Sequence, residues 1–431
     1  LAKKKKAEKP QREFTRRQLS HLQKQRRRQR IIFYGGISVI AAVVIIILVG
    51  WVVGEYIPVH RTVIKVNDTE FSMSYYIDVL EIAVANQGTS EINRLAGSVT
   101  QQIIQDELIR QAAEKLGITV SDKEIEETMK NMGIPENDGA AGLVGGQMLK
   151  DRLKTDYFGA QVPRSDEQVH ALAMLVESER VALEITERLQ NSENFTALAG
   201  EFAQNYYSKN VNDGDFGWHP RDIYEYQLDS SIPIEYAFNA EIGTLSDPLV
   251  DEDAYMQLGY WLLRVNDRPS EDSANVSALL INSRELAEGI KERLESGEDL
   301  GPIAVEYSNY SPSQEMHGEL GLVHVSEEIS APFDDYAFNP DTVPGEWSDP
   351  IFDDTYWTKG GYWLIEVAGR EEDRKIDRED RDYLIDQLFS EWLTGVTANV
   401  ENIVDDTNLN EESKQWAIDR ISKDLPEAGG Q

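Results

Sequence analysis

The octapeptide LGYWLLRV at residues 258–265 returns as GGYWLIEV at residues 360–367. Both phrases alternate as a half-buried strand does. Trp261, Leu263 and Val265 share one face, and Trp363, Ile365 and Val367 share the matching face of the second. The likeness spreads outward from these strands. ITERLQNSENFTALAGEFA (185–203) matches IKERLESGEDLGPIAVEYS (290–308), DGDFG (213–217) matches HGELG (317–321), and YAFN recurs at 236–239 and 336–339. Ser246-Asp247-Pro248 matches Ser348-Asp349-Pro350. The offsets drift between 100 and 105, as loop insertions after a duplication would make them. Two copies result, 165–269 and 274–371. Each is too long for a solenoid unit and right for a self-sufficient fold. Each reads as a strand, one or two helices, a Gly-containing loop, a short helix around YAFN and a closing strand. Strands and helices mix without a βαβ alternation, so the expected fold class is α+β.

The rest of the chain sets the context of this pair. It has 431 residues and no cysteine, which excludes disulfides, thiolate metal sites and cysteine nucleophiles. Net charge is −35, unevenly placed. Residues 1–30 hold thirteen Lys or Arg against Glu8 and Glu13, a net of +11, which leaves −46 for the remainder. Between the two regions, residues 31–54 carry no charge, and about 20 apolar residues span a bilayer. The cluster Arg26, Arg27, Arg28 and Arg30 keeps the basic tail (1–30) cytoplasmic by the positive-inside rule, placing 55–431 outside. The apolar run exceeds a typical signal core and no small-x-small cleavage site follows, so an uncleaved anchor is expected. The basic tail lacks an aromatic platform, so it reads as a topology signal rather than a nucleic-acid-binding arm.

Residues 61–160 read as mainly helical. TVIKVNDTEFS gives a short strand, a turn at Asn67-Asp68 and a helix cap at Ser72 or Ser74. Ile104, Leu108, Ala112 and Leu116 recur at four-residue spacing on a helix that Gly117 stops. Ser121 and Glu124 form a capping box for a helix through about Asn131. GAAGLVGG at 139–146 is expected to be a flexible loop, followed by a helix with Met148, Leu149 and Leu153 inward. Residues 376–425 are expected to be helical, with Leu384, Leu388, Phe389 and Trp392 inward and a frayed PEAGGQ tail.

The repeat resembles the parvulin-type peptidyl-prolyl isomerase domain, and 61–160 resembles the helical chaperone domain of SurA- and PrsA-like extracytoplasmic foldases. The phrases that carry this are KVNDTEFS, AEKLGITVSDKEIEE, the two ERL helices, GDFGWHPR, YAFN and the closing GYW strand. The resemblance implies a helical module, assembled from N- and C-terminal segments, that binds unfolded or nascent extracytoplasmic polypeptides beside two rotamase-like modules. It also exposes departures. Active members open with His-Ile-Leu, where this chain has Ala173-Met174-Leu175 and Ala278-Leu279-Leu280. They close with Gly-Tyr-His, where this chain has Trp261 and Trp363 in the histidine's place. The family's Cys or Asp aligns with Asn205 and Tyr310. A prolyl amide faces a rotation barrier of about 18–20 kcal/mol. Lowering it takes a dry cleft and a preorganised polar network, and these substitutions keep the apolar shape while losing the network. His170 lies three residues before Ala173, an odd shift that turns it to the other sheet face. The apolar pocket position is kept as Phe333 in copy two and is Pro233 in copy one. With Leu322, Ile329, Trp218 and Phe216, Phe333 forms the expected client grip.

No other chemistry emerges. The six histidines show no metal spacing, and NVNDGDFG lacks an EF-hand's closing Glu. The acidic clusters read as a solvated surface. No cofactor is expected. The expected function is that of a membrane-anchored extracytoplasmic chaperone with two catalytically degenerate parvulin-like domains. The alternative is an active prolyl isomerase working through the second domain.

Overall fold

The computed structural model describes residues 33, 36–325 and 329–424, so the basic tail with its arginine cluster and the PEAGGQ tail lie outside the described residues. Gly36–His60 is one helix of 25 residues with a mean hydropathy of 2.9 and no buried side chain in its apolar stretch. At 1.5 Å per residue it is long enough to cross a bilayer's hydrocarbon core of about 30 Å. The described chain divides into two compact units, one of the residues up to 159 together with those from 389 to 424, and one of 160–388.

The first unit begins with a hairpin of β1 (Thr62–Val66) and β2 (Thr69–Ser72). Asn67 makes its turn with φ of 56°, a conformation asparagine tolerates. Ser72 then caps α1 (Met73–Gln87), its Oγ accepting from the Tyr75 N–H. α2 (Ile92–Lys115) follows, and α3 (Asp122–Met132) starts with the Ser121–Glu124 capping box fully formed. The C-terminal segment returns to this unit. Val404–Asp405 pairs antiparallel with β1, and Ile403 donates its N–H to Asn67 Oδ1 at 2.8 Å. Leu409, just before the last helix (Glu411–Asp424), and Ala417 and Ile421 within it are buried in one core with Ile64, Tyr76, Leu80, Leu95 and Ile103.

GAAGLVGG is not a loop. It forms the first half of α4 (Asp138–Arg152), capped by Asn137. Its glycines stand three or four residues apart and face neighbouring helices at close range. A Cβ on Gly139 would sit 2.4 Å from Asp78 Cβ, one on Gly142 1.8 Å from the Tyr75 hydroxyl, and one on Gly145 2.8 Å from Ile125 Cδ1. The glycines therefore set a close helix approach, and packing overrides their weak helix propensity. Leu149 and Leu153 point inward as expected, whereas Met148 is only half-buried.

The second unit holds two four-stranded antiparallel sheets. Its strands are β3 (Ser165–Val176), β4 (Asp215–His219), β5 (Leu249–Met256), β6 (Gly259–Ser270), β7 (Ser273–Ile281), β8 (Glu319–His324), β9 (Ile351–Asp353) and β10 (Thr358–Lys375). The sheet orders are β4-β3-β10-β5 and β8-β7-β6-β9. The order of the copies along the sequence suggests that each closes its own sheet, but the sheets are completed across the copies. Copy one's opening strand β3 pairs with copy two's closing strand β10, Leu175 opposite Trp363. Copy two's β7 pairs with copy one's β6, Leu280 opposite Trp261. Module A is therefore β3, β4, β5 and β10 with the helices of copy one, and module B is β6 to β9 with the helices of copy two.

The short connection between β5 and β6 explains the exchange. A two-residue hairpin there needs positive φ at a central position, usually from Asn-Gly or Gly. The link is Gln257-Leu258, neither residue has positive φ, and Leu258 is fully buried. The chain runs on instead of reversing, and β10 fills the vacated place beside β5. Such a short hinge favours swapping over hairpin closure. Thr358 pairs with Met256 and donates its hydroxyl to Leu258 O at 2.6 Å, so the two crossing straps touch.

The glycine of each GYW phrase serves this packing. A Cβ on Gly259 would lie 2.5 Å from Leu280 Cδ1, and one on Gly361 2.9 Å from Leu175 Cδ1. Motifs shared by the copies then clamp the exchanged strands. Ser348 Oγ accepts from the Leu263 N–H and Ser246 Oγ from the Ile365 N–H, at 2.9 and 3.0 Å. Arg268 donates to Ala337 O and Arg370 to Ala237 O, each satisfying a carbonyl in the other copy's YAFN helix.

Candidate functional site

The exchange fixes what surrounds each tryptophan. In module B the fully buried Trp261 sits edge-on among Tyr310, Phe333 and Tyr356, with ring centroids 5.2, 5.2 and 5.4 Å away. Its Nε1 donates to Asp353 Oδ2 at 2.8 Å. In module A, Trp363 Nε1 donates to Asp251 Oδ2 at 2.9 Å, and Ser230 Oγ donates to the same oxygen at 2.6 Å. The other Asp251 oxygen accepts from the N–H groups of Asp253 and Ala254. Burial pushes both carboxyls up. Hydrogen bonds outweigh it and hold both below the usual range, from Ser230 and Trp363 to Asp251, and from Ser330, Thr355 and Trp261 to Asp353. These carboxylates have their lone pairs committed within the fold.

The other residues singled out from the sequence are also tied inward. Ala173 and Ala278 are fully buried. Asn205 Oδ1 accepts from the Leu175 N–H at 3.1 Å, and its Nδ2 donates to Ser208 Oγ at 2.9 Å. In module B, Ser308 does the job of Asn205 on the Leu280 N–H, which frees Tyr310 to line the indole. His170 is paired with Asp215 at 2.7 Å, on the sheet face expected for it, near Trp218.

The expected client grip is not one surface. Phe333 and Phe216 are buried, and Trp218 lies under the Arg374 guanidinium, which is 4.3 Å from its ring. Only Leu322, 50% exposed, and the half-buried Ile329 and Trp218 remain accessible. Phe333 is covered by the Trp261 indole, its ring 5.2 Å away, and Phe216 in the other module packs near Tyr224, 6.0 Å away.

An open site lies in the first unit. On α1, Asp78, Glu81, Ile82 and Ala85 fall at i, i+3, i+4 and i+7, and so on one face. On α4, Ala140, Leu143, Val144, Gln147, Met148 and Asp151 make another such face. The two faces wall a groove of ≈ 990 Å³, with Ile421 from the last helix also lining it and Met132 to Pro135 at one end. Met132 is 68% exposed, and methionine adapts its shape to varied partners. Twelve residues of α4 give the groove a length of roughly 17 Å at 1.5 Å per residue. A smaller cleft of ≈ 390 Å³ on the opposite face of α4 contains Asp106, which Lys150 approaches at 2.6 Å. Sequence reasoning missed the groove because it treated half of α4 as a loop. The signal was present in the three-to-four spacing of the glycines, with Leu143, Val144 and Met148 on a different face.

A family model for a SurA-like N-terminal domain matches residues 22–153, which include the hairpin and the whole of α1 to α4. The chain is SurA/PrsA-like. Foldase protein PrsA of Caldanaerobacter subterraneus subsp. tengcongensis is 25% identical over 215 residues, covering 46% of this chain and 67% of that protein. PrsA of Halalkalibacterium halodurans is 25% identical over 239 residues, covering 48% of this chain and 65% of that one. Chaperone SurA of Chromohalobacter salexigens is 24% identical over 341 residues, covering 74% and 67%. The crystal structure of a peptidylprolyl isomerase (PrsA) from Bacillus anthracis aligns over 75% of this chain and 95% of its own at 13% identity, with a TM-score of 0.27. That superposition is too loose to bear on the strand exchange. The SurA-like module is thus where family likeness and an open groove coincide.

Proposed function

We propose that the chain is a membrane-anchored extracytoplasmic chaperone whose SurA-like module holds unfolded secreted or envelope polypeptides in the groove between α1 and α4. Modules A and B are parvulin-like domains kept for their shape, with no isomerase chemistry. The observation that carries this reading is the contrast between an accessible apolar groove and two sites filled by their own tryptophans. Binding in such a groove draws on burial of client side chains at about 25 cal/mol per Å², shared among adaptable contacts, which suits weak and reversible capture. The helix Gly36–His60 tethers the module to the membrane, and the arginine cluster before it sets the orientation.

Two measurements on the full chain in detergent test this. Suppression of aggregation of a denatured client should be strong and should fall in Val144→Asp/Met148→Glu. Unchanged suppression in that variant would remove the groove from the account. Isomerisation of a short X-Pro peptide should run at the uncatalysed rate. Acceleration that is lost on substitution of Trp261 would show that module B works as an enzyme.

A further inference from the structure

Glu55 is the first charged residue after the uncharged run 31–54, so a bilayer spanned by that run has its hydrocarbon edge beside Glu55. Trp51 and Tyr56, both exposed and with ring centroids 5.9 Å apart, bracket it as interfacial aromatic residues do. The helix continues to His60, and β1 begins at Thr62, so almost no linker separates the anchor from the first unit. The rise from Glu55 to His60 is about 7.5 Å, close to the depth of one headgroup layer. The last helix (Glu411–Asp424) is tied to this stretch at two heights. At the outer end, Arg61 Nη2 donates to Asn408 Oδ1 at 2.5 Å and Asn408 Nδ2 donates to Thr62 O at 3.2 Å. At the inner end, Arg420 Nη1 donates to Glu55 Oε2 at 2.5 Å. The ties come in opposite order along the two segments, so the last helix descends beside residues 55–62 with its C-terminal end toward the bilayer. Trp416 lies one turn above Arg420, whose guanidinium is 5.6 Å from its ring, and the exposed Lys423 lies one turn below. Asp419, in the same turn as Arg420, accepts from Gln415 Nε2 at 2.7 Å.

Resting on the reading of Gly36–His60 as a membrane anchor, we infer that the C-terminal end of the last helix lies among phospholipid headgroups, where Arg420 and Lys423 donate to lipid phosphates. Position carries this and not net charge, because a guanidinium bonded to Glu55 sits at the level of the headgroups. A guanidinium has five N–H donors, and the bond to Glu55 uses one. The Lys423 stem lets its ammonium reach the phosphate level from below, as lysines near an interface do. Trp416 places an amphipathic ring at the same boundary. The first unit is then held to the membrane at two points, the anchor and this second contact. Ile421, next to Arg420, also lines the groove between α1 and α4, so that rim of the groove is held at the membrane surface.

The chain has no cysteine, so a single cysteine substitution carries a nitroxide label at one place only. The full chain is reconstituted in vesicles of phosphatidylcholine and phosphatidylglycerol with the label at Val44→Cys, Glu412→Cys or Ser422→Cys. Depth is read from spin-label collisions with oxygen, which concentrates in lipid, and with a water-soluble nickel chelate present on both sides of the membrane. Position 44 reports the anchor, 412 the outer end of the last helix and 422 its inner end. Glu412 and Ser422 are both exposed on the protein, so a difference between them comes from lipid and not from burial in the fold. The label at 44 should be shielded from nickel and the label at 412 open to it. The label at 422 should lose nickel collisions several-fold against 412 and gain oxygen collisions. Arg420→Gln/Lys423→Gln should return it toward the 412 value. A label at 422 as open to nickel as at 412, with 44 shielded, would overturn the headgroup contact and leave the anchor standing. Nickel access at 44 would overturn both. Shielding at 422 that survives Arg420→Gln/Lys423→Gln would overturn the phosphate contacts.

Discussion

The exchange of closing strands makes a prediction that a contiguous repeat reverses. Trp261 is hydrogen-bonded to Asp353, 92 residues away, and Trp363 to Asp251, 112 residues away. If each copy closed its own sheet, Trp261 would instead meet Asp251, its partner by position in copy one. A double-mutant cycle separates the two. Trp261→Phe and Asp353→Ala should each destabilise the second unit, by unequal amounts because each also disturbs other contacts. The coupling isolates the shared bond. A 2.8 Å hydrogen bond between a fully buried indole and a fully buried carboxylate is charge-assisted, and such bonds contribute about 1.5–3 kcal/mol. The cycle for Trp261 with Asp353 should therefore give about 1.5–3 kcal/mol. The cycle for Trp261 with Asp251 should fall within about 0.5 kcal/mol of zero. Urea unfolding followed by circular dichroism supplies the free energies, and a 150–250-residue unit should lose about 2–4 °C in Tm per kcal/mol. Coupling of Trp261 to Asp251 and not to Asp353 would refute the exchange.

Three further expectations concern stability. Gly142→Ala places a methyl 1.8 Å from the Tyr75 hydroxyl and should cost about 1–3 kcal/mol, while Gly97→Ala in α2, with nothing within 4 Å, should gain up to about 1 kcal/mol. Thermal melts of the two variants should move in opposite directions. Truncation after Thr397 removes Leu409, Ala417 and Ile421 from the first unit's core, and hydrogen exchange should then show loss of protection in α1 and α2 while the second unit keeps its own. Asp251 and Asp353 are held below the usual carboxylate range because hydrogen bonds outweigh burial. Their contribution is therefore present above the unfolded value of about 3.9 and lost as pH falls through the lower folded value. Urea midpoints of the second unit should drop steeply below about pH 4, and less steeply in Asp251→Asn/Asp353→Asn.

Features decided by neighbouring residues were legible in the sequence. The Asn67 turn, the Ser121–Glu124 capping box and the stop at Gly117 rest on local dihedrals and caps, and all three stand in the structure. So does the burial of Trp261, Leu263 and Val265 on one strand face. The pairing of the strands was not legible, and the reason lies in the repeat. Both closing strands carry the same series of tryptophan, aliphatic residue, valine and arginine. Either one satisfies either sheet, so pattern alone leaves the choice open. What decides it is a missing turn signal at Met256-Gln257-Leu258-Gly259, a feature read only by asking what a hairpin there would need. The α4 glycines misled in the opposite way. Read as breakers they end a helix, but at three-to-four spacing they bring Asp78, Tyr75 and Ile125 close to it.

Returning a histidine to the closing strand tests whether the indole is the whole obstacle to isomerisation. Trp261→His with Ala278→His gives module B the two imidazoles that the parvulin resemblance implies. The new side chain at 261 would lie beside Asp353, whose carboxylate is already held ionised by Thr355 and Ser330, and would form an imidazolium–carboxylate pair with it. That pair is oriented by the fold and not by a prolyl amide. The vacated volume would be lined by Tyr310, Phe333 and Tyr356, three rings now packed against the indole, so part of the gain in space would be lost to their collapse. Tyr310 would still stand where the resemblance implies a Cys or Asp. The expected outcome is a destabilised module B, with X-Pro isomerisation still at the uncatalysed rate. Measurable acceleration in the double variant would mean that the surrounding scaffold has kept the catalytic geometry intact and that the indole alone silences it. Module B would then be a recently silenced isomerase, and its shape would be inherited from catalysis and not maintained for support.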